Sequence, residues 1–324
     1  MSILLPVFYG HGQFSPLISG RLDSLCISYK DSGMKGILFI QQGPEILFQR
    51  TYGYSDKEQH YPVDDYTKIE SEGFKDVLLS YAIMALESQG KLNLQDSMVM
   101  FYPDCSGNFK KVSVKQLLMH VSGIDDRSIR KQYLIENKSD IFKALNSKKS
   151  FVFVPDSAYL YSEIGLFILK DIIEKLTQKN WTEFITETIL KPGGLVHSSF
   201  QVKKNSGKNL MDDPTEFVTN LVDLKKFYYA VNENIFLTPS LTARSFDIPV
   251  PLKRTAFQTQ PHTLCRIAGE TNPETRVIFH YSSSISYLIY PAKKVLVIQV
   301  NFMKSNKVQK QALHEILHKL RIME

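Results

Sequence analysis

From Val154 to Pro192 the chain reads VPDSAYLYSEIGLFILKDIIEKLTQKNWTEFITETILKP. Apolar residues recur at helical spacing over 163–177 and again over 181–190, which predicts two helices. The preceding Tyr159 and Tyr161 alternate as in an extended segment. The helical pattern extends outward, with loops, from Leu92 to about Pro214, and Glu216 to Val231 reads as a further amphipathic helix.

The two ends of the chain have a different character. Upstream, residues 16–32 carry Leu17, Ile18, Leu22, Leu25 and Cys26 at helical spacing. Gly36–Gln41 then reads as a buried strand, Gly43-Pro44 as a turn, and Ile46–Arg50 as the returning strand of a hairpin. After a polar loop over 55–66, a long helix carries Val77, Leu78, Tyr81, Ala82, Ala85 and Leu86 and stops at Gly90. Downstream, Val277–Phe279, Ile285–Tyr290 and Val295–Asn301 read as strands, and 307–321 as a closing helix. Strands at both ends around a helical middle predict an α/β chain of the α+β type. Its antiparallel sheet is built from both termini and flanked by helices (1–90 and 216–324), with a mostly helical inserted subdomain (91–215).

Composition narrows the function classes. The 324 residues are 43% hydrophobic and 22% charged, with a formal net charge of +6, the profile of an ordinary folded domain. Lys and Arg are dispersed, and the aromatic residues over 227–229 read as a buried helix face, so no nucleic-acid partner is expected. Cys26, Cys105 and Cys265 are far apart and form no Cys-x-x-Cys pair, which excludes a disulfide framework and points to a reducing compartment. The apolar run Ile3–Tyr9 lacks a basic flank, and no later stretch reaches the length of a membrane span. A cytoplasmic protein with no membrane span is the expectation.

Several motifs carry a resemblance. They are Tyr52-Gly53-Tyr54-Ser55-Asp56, Gly90-Lys91-Leu92-Asn93-Leu94-Gln95-Asp96 and Leu117-Leu118-Met119-His120-Val121-Ser122-Gly123. The succession Val154-Pro155, Tyr161-Ser162, Ile172-Ile173-Glu174-Lys175 and Leu190-Lys191-Pro192 follows. In order and spacing these resemble the serine β-lactamase and penicillin-binding protein family, in particular its class C β-lactamase, esterase and D,D-peptidase branch. The resemblance implies a β-lactamase/transpeptidase-like fold.

That family's reaction needs a serine at the start of a helix and a lysine three residues on, so that the amine activates the hydroxyl. Counting from Pro62-Val63, or back from Gly90, the serine position falls on Gly73 and the lysine position on Asp76. Tyr161 matches the tyrosine of the second motif, with Glu163 in place of its asparagine. His280-Tyr281-Ser282 resembles the third motif, His-x-Gly, with Ser282 replacing the glycine. The catalytic set is thus degenerate, and a non-catalytic binding or accessory protein is expected. The alternative is a serine hydrolase with a displaced nucleophile, Ser71 paired with Lys75. Against it stands the reading of Ser71 as a cap or loop residue and of Lys75 as exposed.

The resemblance also implies that Asp76, Tyr161, Glu163, His280 and Ser282 line one cleft. Its two added carboxylates would favour a cationic ligand over an anionic one. The spacing matches no dedicated metal site, no cofactor is expected, and the ligand, whether small molecule, peptide or protein, is left open. His120 and Ser122 read as turn-forming residues, Asp125-Asp126 as a solvated turn, and Trp181 as a packing residue.

Overall fold

A computed structural model of the chain describes residues 16–31, 35–55, 60–71, 73–203, 213–246, 267–268, 278–281 and 284–302. In chain order the elements are α1 (Pro16–Asp31), β1 (Gly36–Gln42), β2 (Glu45–Tyr52), β3 (Ile69–Ser71), α2 (Phe74–Ser88), α3 (Val114–Leu118), α4 (Asp126–Gln132), α5 (Lys138–Leu145), α6 (Glu163–Thr177), α7 (Trp181–Ile185), β4 (Ser199–Val202), β5 (Thr215–Thr219), α8 (Leu221–Asn232), α9 (Pro239–Phe246), β6 (Ile267–Ala268), β7 (Ile278–Tyr281), β8 (Ile285–Tyr290) and β9 (Val295–Asn301). The chain divides into two compact units. The first comprises Met1–Phe74, Val218–Tyr228 and Ala268–Glu324, and the second Lys75–Phe217 and Tyr229–Ile267.

The first unit is built on a six-stranded sheet in the order β2-β1-β9-β8-β7-β6. The β1–β2, β1–β9, β8–β9 and β7–β8 pairs are antiparallel. Every residue of β8 and β9 is buried, which is why these strands read as mostly apolar runs rather than as alternating ones. β1 pairs with the distant β9, with Gly36 facing Asn301 and Gln42 facing Val295. A Cβ added at Gly36 would fall 2.1 Å from the Val300 carbonyl oxygen and 2.6 Å from Tyr52 Oη. Only a residue without a side chain lets the three strands close here. Phe74 joins this core through edge-on ring contacts to Phe227 at 5.3 Å and Tyr287 at 5.5 Å.

The second unit is mostly helical, with β4 and β5 pairing in it. Its central helix, α6, buries Ile164, Leu166, Ile168, Leu169, Ile172 and Ile173, an apolar stripe of the kind a core helix needs. α3 packs against it and starts with a capping box, in which Ser113 accepts from the Gln116 amide and Gln116 from the Ser113 amide. The turn after α3 holds His120 at φ 55° and Gly123 at φ 79°. A Cβ at Gly123 would lie 2.2 Å from the Phe153 carbonyl oxygen. His120 keeps its left-handed backbone because its amide donates to the Leu117 carbonyl and its carbonyl accepts from the Leu160 amide. Ser122 Oγ accepts from the Ile124 amide at 3.4 Å. The His-x-Ser-Gly motif is a turn that pins the 151–160 segment, as the resemblance implied.

Three expectations need adjustment. The stretch 216–231 is not one helix. Thr215, Phe217, Val218 and Thr219 extend as β5, as β-branched and aromatic residues do. α8 then begins once the Asn220 side chain accepts from the Asp223 amide at 2.9 Å. The helix over 181–190 holds α geometry only to Ile185 and continues through Thr186–Leu190 as a π turn. Asp125 and Asp126 are no idle turn, since Asp125 accepts from the Ser128 amide at the start of α4. Asp126 receives the Glu163 amide at 2.6 Å and the Ile164 amide at 3.2 Å, the first donors of α6. The expected closing helix over 307–321 lies outside the described residues. Among the described residues, no helix is long and apolar enough to cross a membrane. Phe227 and Tyr228 are buried, whereas Tyr229 is partly exposed.

Because the obstruction at both glycines is backbone, Gly36→Ala and Gly123→Ala are each expected to destabilise their unit by about 3 kcal/mol. Urea unfolding of each variant against the parent measures it.

Candidate functional site

The first turn of α2 decides the chemistry. Gly73 directly precedes Phe74, the first residue of the helix, and Asp76 lies in its first turn. Asp76 Oδ2 accepts a hydrogen bond from the Tyr161 hydroxyl at 3.2 Å. Two residues singled out in the sequence, 85 positions apart, therefore meet. Asp76 Oδ1 is shielded from solvent and has no hydrogen-bond partner among the described residues.

Around this pair stand Lys75, which the sequence paired with Ser71, and two groups that sequence reasoning did not single out, Lys170 and Asp213. Lys170 on α6 donates to Asp213 Oδ2 at 2.5 Å, and Lys75 on α2 donates to the same oxygen at 2.7 Å. Lys75 also donates to the Thr215 carbonyl at 2.8 Å, and Asp213 Oδ1 accepts from the Thr215 amide at 2.9 Å. Lys170 lies over the Trp181 ring, 4.5 Å from its centre, which gives the buried tryptophan a second role as a wall for the ammonium. Lys75 is 14% exposed, not the exposed side chain that its sequence context suggests. One signal could have found Lys170: it falls two turns after Glu163 and interrupts an apolar run.

These partners set the acidities. Loss of hydration raises Asp76 to about 6, even though Lys170, Lys75 and the Tyr161 hydrogen bond pull it down. Loss of hydration acts on Asp213 in the same sense, but the charges of and hydrogen bonds from both lysines outweigh it and hold that carboxyl well below the usual range. The Tyr161 hydroxyl is pushed up by burial and by the Asp76 charge, and Tyr159 rises to about 12 for the same two reasons. The His120 ring packs on Tyr161 at 4.7 Å between centres and meets Tyr159 edge-on at 5.9 Å, while its Nδ1 accepts from the Ser162 amide at 3.3 Å.

With Lys75 and Lys170 set against Asp213 and ionised Asp76, the cluster is neutral. The expected preference for a cationic ligand loses its basis, because the lysines already supply the positive charge. Glu163, at the start of α6, pairs with Arg130 at 2.5 Å. Ser71 is buried at the end of β3, and its Oγ accepts from the Phe74 amide at 3.1 Å, which fits the capping reading. His280 belongs to the first unit, in β7 opposite Tyr287 of β8, and Ser282 lies outside the described residues. Among the described residues, no group of three or more His, Cys, Asp or Glu side chains could hold a metal ion.

A buried carboxyl that binds its proton more tightly in the fold than in the unfolded chain stabilises the fold at low pH. That contribution is complete below about pH 4 and is lost as pH rises through about 6. Asp76→Asn should therefore stabilise the protein at pH 7.5 by on the order of 2 kcal/mol. It should change little at pH 4, a contrast that chemical denaturation at the two pH values measures.

Comparison with known proteins agrees with this architecture. The family model described as Beta-lactamase matches residues 29–263. Protein flp of Staphylococcus aureus (strain N315) is 28% identical over 181 residues, covering 53% of this chain and 36% of that protein. The chain spans between about a third and a half of the length of the curated relatives it matches. Among solved structures, the octameric penicillin-binding protein homologue from Pyrococcus abyssi superposes with a TM-score of 0.74 at 17% identity, covering 93% of this chain and 77% of that one. A class C beta-lactamase gives 0.72 at 16% identity, with 94% and 97% covered. The chain belongs to the beta-lactamase family, and its fold is that of the serine β-lactamases and penicillin-binding proteins.

Proposed function

We propose that this chain is a β-lactamase/penicillin-binding-protein-like protein without the serine–lysine nucleophile pair, and that it works as a non-catalytic binding or accessory protein in the cytoplasm. The observation that carries this reading is the hydrogen bond from Tyr161 to Asp76. In the family reaction the position of Asp76 supplies an amine that activates a serine. Here it supplies a carboxylate, and the position of that serine is Gly73, which has no side-chain oxygen. A tyrosine that donates a hydrogen bond to a carboxylate, and is held protonated by burial and by that negative charge, is a poor proton acceptor.

The alternative, hydrolysis through Ser71 and Lys75, has less support. Ser71 Oγ is occupied by the first amide of α2, and Lys75 is committed to Asp213 and the Thr215 carbonyl. A base must lie within hydrogen-bond reach of the proton that it removes.

The test is incubation of the protein, and of Ser71→Ala, with a fluorescent penicillin and a fluorophosphonate, followed by intact-mass measurement. No adduct is expected with either probe. An adduct on the parent protein would sink the non-catalytic reading, and its loss in Ser71→Ala would identify the displaced nucleophile.

A further inference from the structure

Tyr161 is the part of the site that meets solvent. It is 47% exposed, while the carboxyl behind it has one oxygen cut off from water and unpartnered among the described residues. The charges facing that carboxyl come from three places: Lys75 on α2, Lys170 on α6, and Asp213 ahead of β5. Both lysines share one oxygen of Asp213. With Asp76 ionised, the cluster has no net charge, and the Tyr161 proton points inward. With Asp76 protonated, one positive charge is uncompensated. The neutral carboxyl can then donate to Tyr161 Oη, which frees the tyrosine's own proton for an acceptor on the open side. Protonation thus changes both the field and the hydrogen-bond polarity that the site presents.

We propose that the Asp76–Tyr161 pair is a proton-coupled binding site for a ligand bearing a carboxylate. The Tyr161 hydroxyl donates to the ligand's carboxylate, and Asp76 takes up one proton from solvent as the ligand binds. No covalent bond forms, and the proton enters as the anion does, so the charge of the complex balances. The idea rests on reading the site as a binding site. The remaining neighbours are compatible with it. The His120 ring backs Tyr161, Tyr159 stands beside them, and the charge of Glu163, which Tyr161 feels, is met by Arg130. The upward shift of the Asp76 pKa to about 6, caused by burial, keeps the required proton accessible near neutrality.

Benzoate is the probe, titrated calorimetrically into the full chain from about pH 5 to about pH 8 in two buffers of different ionisation enthalpy. Affinity should fall about tenfold per pH unit above pH 6, with close to one proton taken up per benzoate at the upper end. In Asp76→Asn the pH dependence and the proton uptake should both vanish. In Tyr161→Phe, checked for folding by its melting temperature, binding should weaken at least tenfold throughout. Absence of benzoate binding at pH 5, binding without proton uptake, or an unchanged profile in Asp76→Asn would each overturn the proposal. Labelling by penicillin reports on the nucleophile alone, so failure of the functional reading and failure of this one are told apart.

Discussion

Two ammonium groups share a single carboxylate oxygen in this protein, and much of the second unit is arranged around that fact. Lys75 comes from α2, Lys170 from α6, and Asp213 from the segment entering β5. At the separation a shared oxygen imposes, two such charges repel by roughly 4 kcal/mol in a protein-like dielectric. Asp213 makes the approach tolerable and thereby ties three elements together. A lysine at position 76 would add a third ammonium beside the same carboxylate. The carboxyl found there instead is compatible with the pair, although burial makes its ionisation costly. A carboxyl at position 76 and the two-lysine clamp are therefore physically coupled.

The fold was largely legible because it depends on periodicity. α6 and the strands β8 and β9 announce themselves through apolar spacing, and their bounds match the sequence reading within a residue or two. Reading failed where a local choice overrode the pattern. Phe217 and Val218 suit either a helix face or a strand, and the Asn220 cap, not the apolar spacing, decides where α8 starts. The meeting of Asp76 with Tyr161 was legible only through motif order, since nothing local connects them. Lys170 was legible only as a break in an apolar run, and Asp213 was not legible, because a carboxylate in a loop looks like solvated surface until its partners are known.

Glu163 illustrates the limit of motif register. The motif register puts it at the asparagine position of the resembled family, yet α6 begins at that residue and its side chain turns to Arg130 of α4. What α6 uses from this end is the backbone amide of Glu163, given to Asp126. Position in a motif predicts where a Cα lies. Which way the side chain goes depends on the nearest countercharge.

The placement of β1 also bears on how the molecule is made. It pairs on one side with β2, its immediate successor, and on the other with β9, at the far end of the described chain. During synthesis the hairpin can form early, but its second edge stays open until β9 leaves the ribosome. Contacts this distant in sequence are slow to form, and an open apolar edge invites other strands in the meantime. The helical unit, most of which is the single stretch Lys75–Phe217, can organise while that edge still waits. Vectorial synthesis thus leaves β1, although made well before β9, among the last of these strands to be completed.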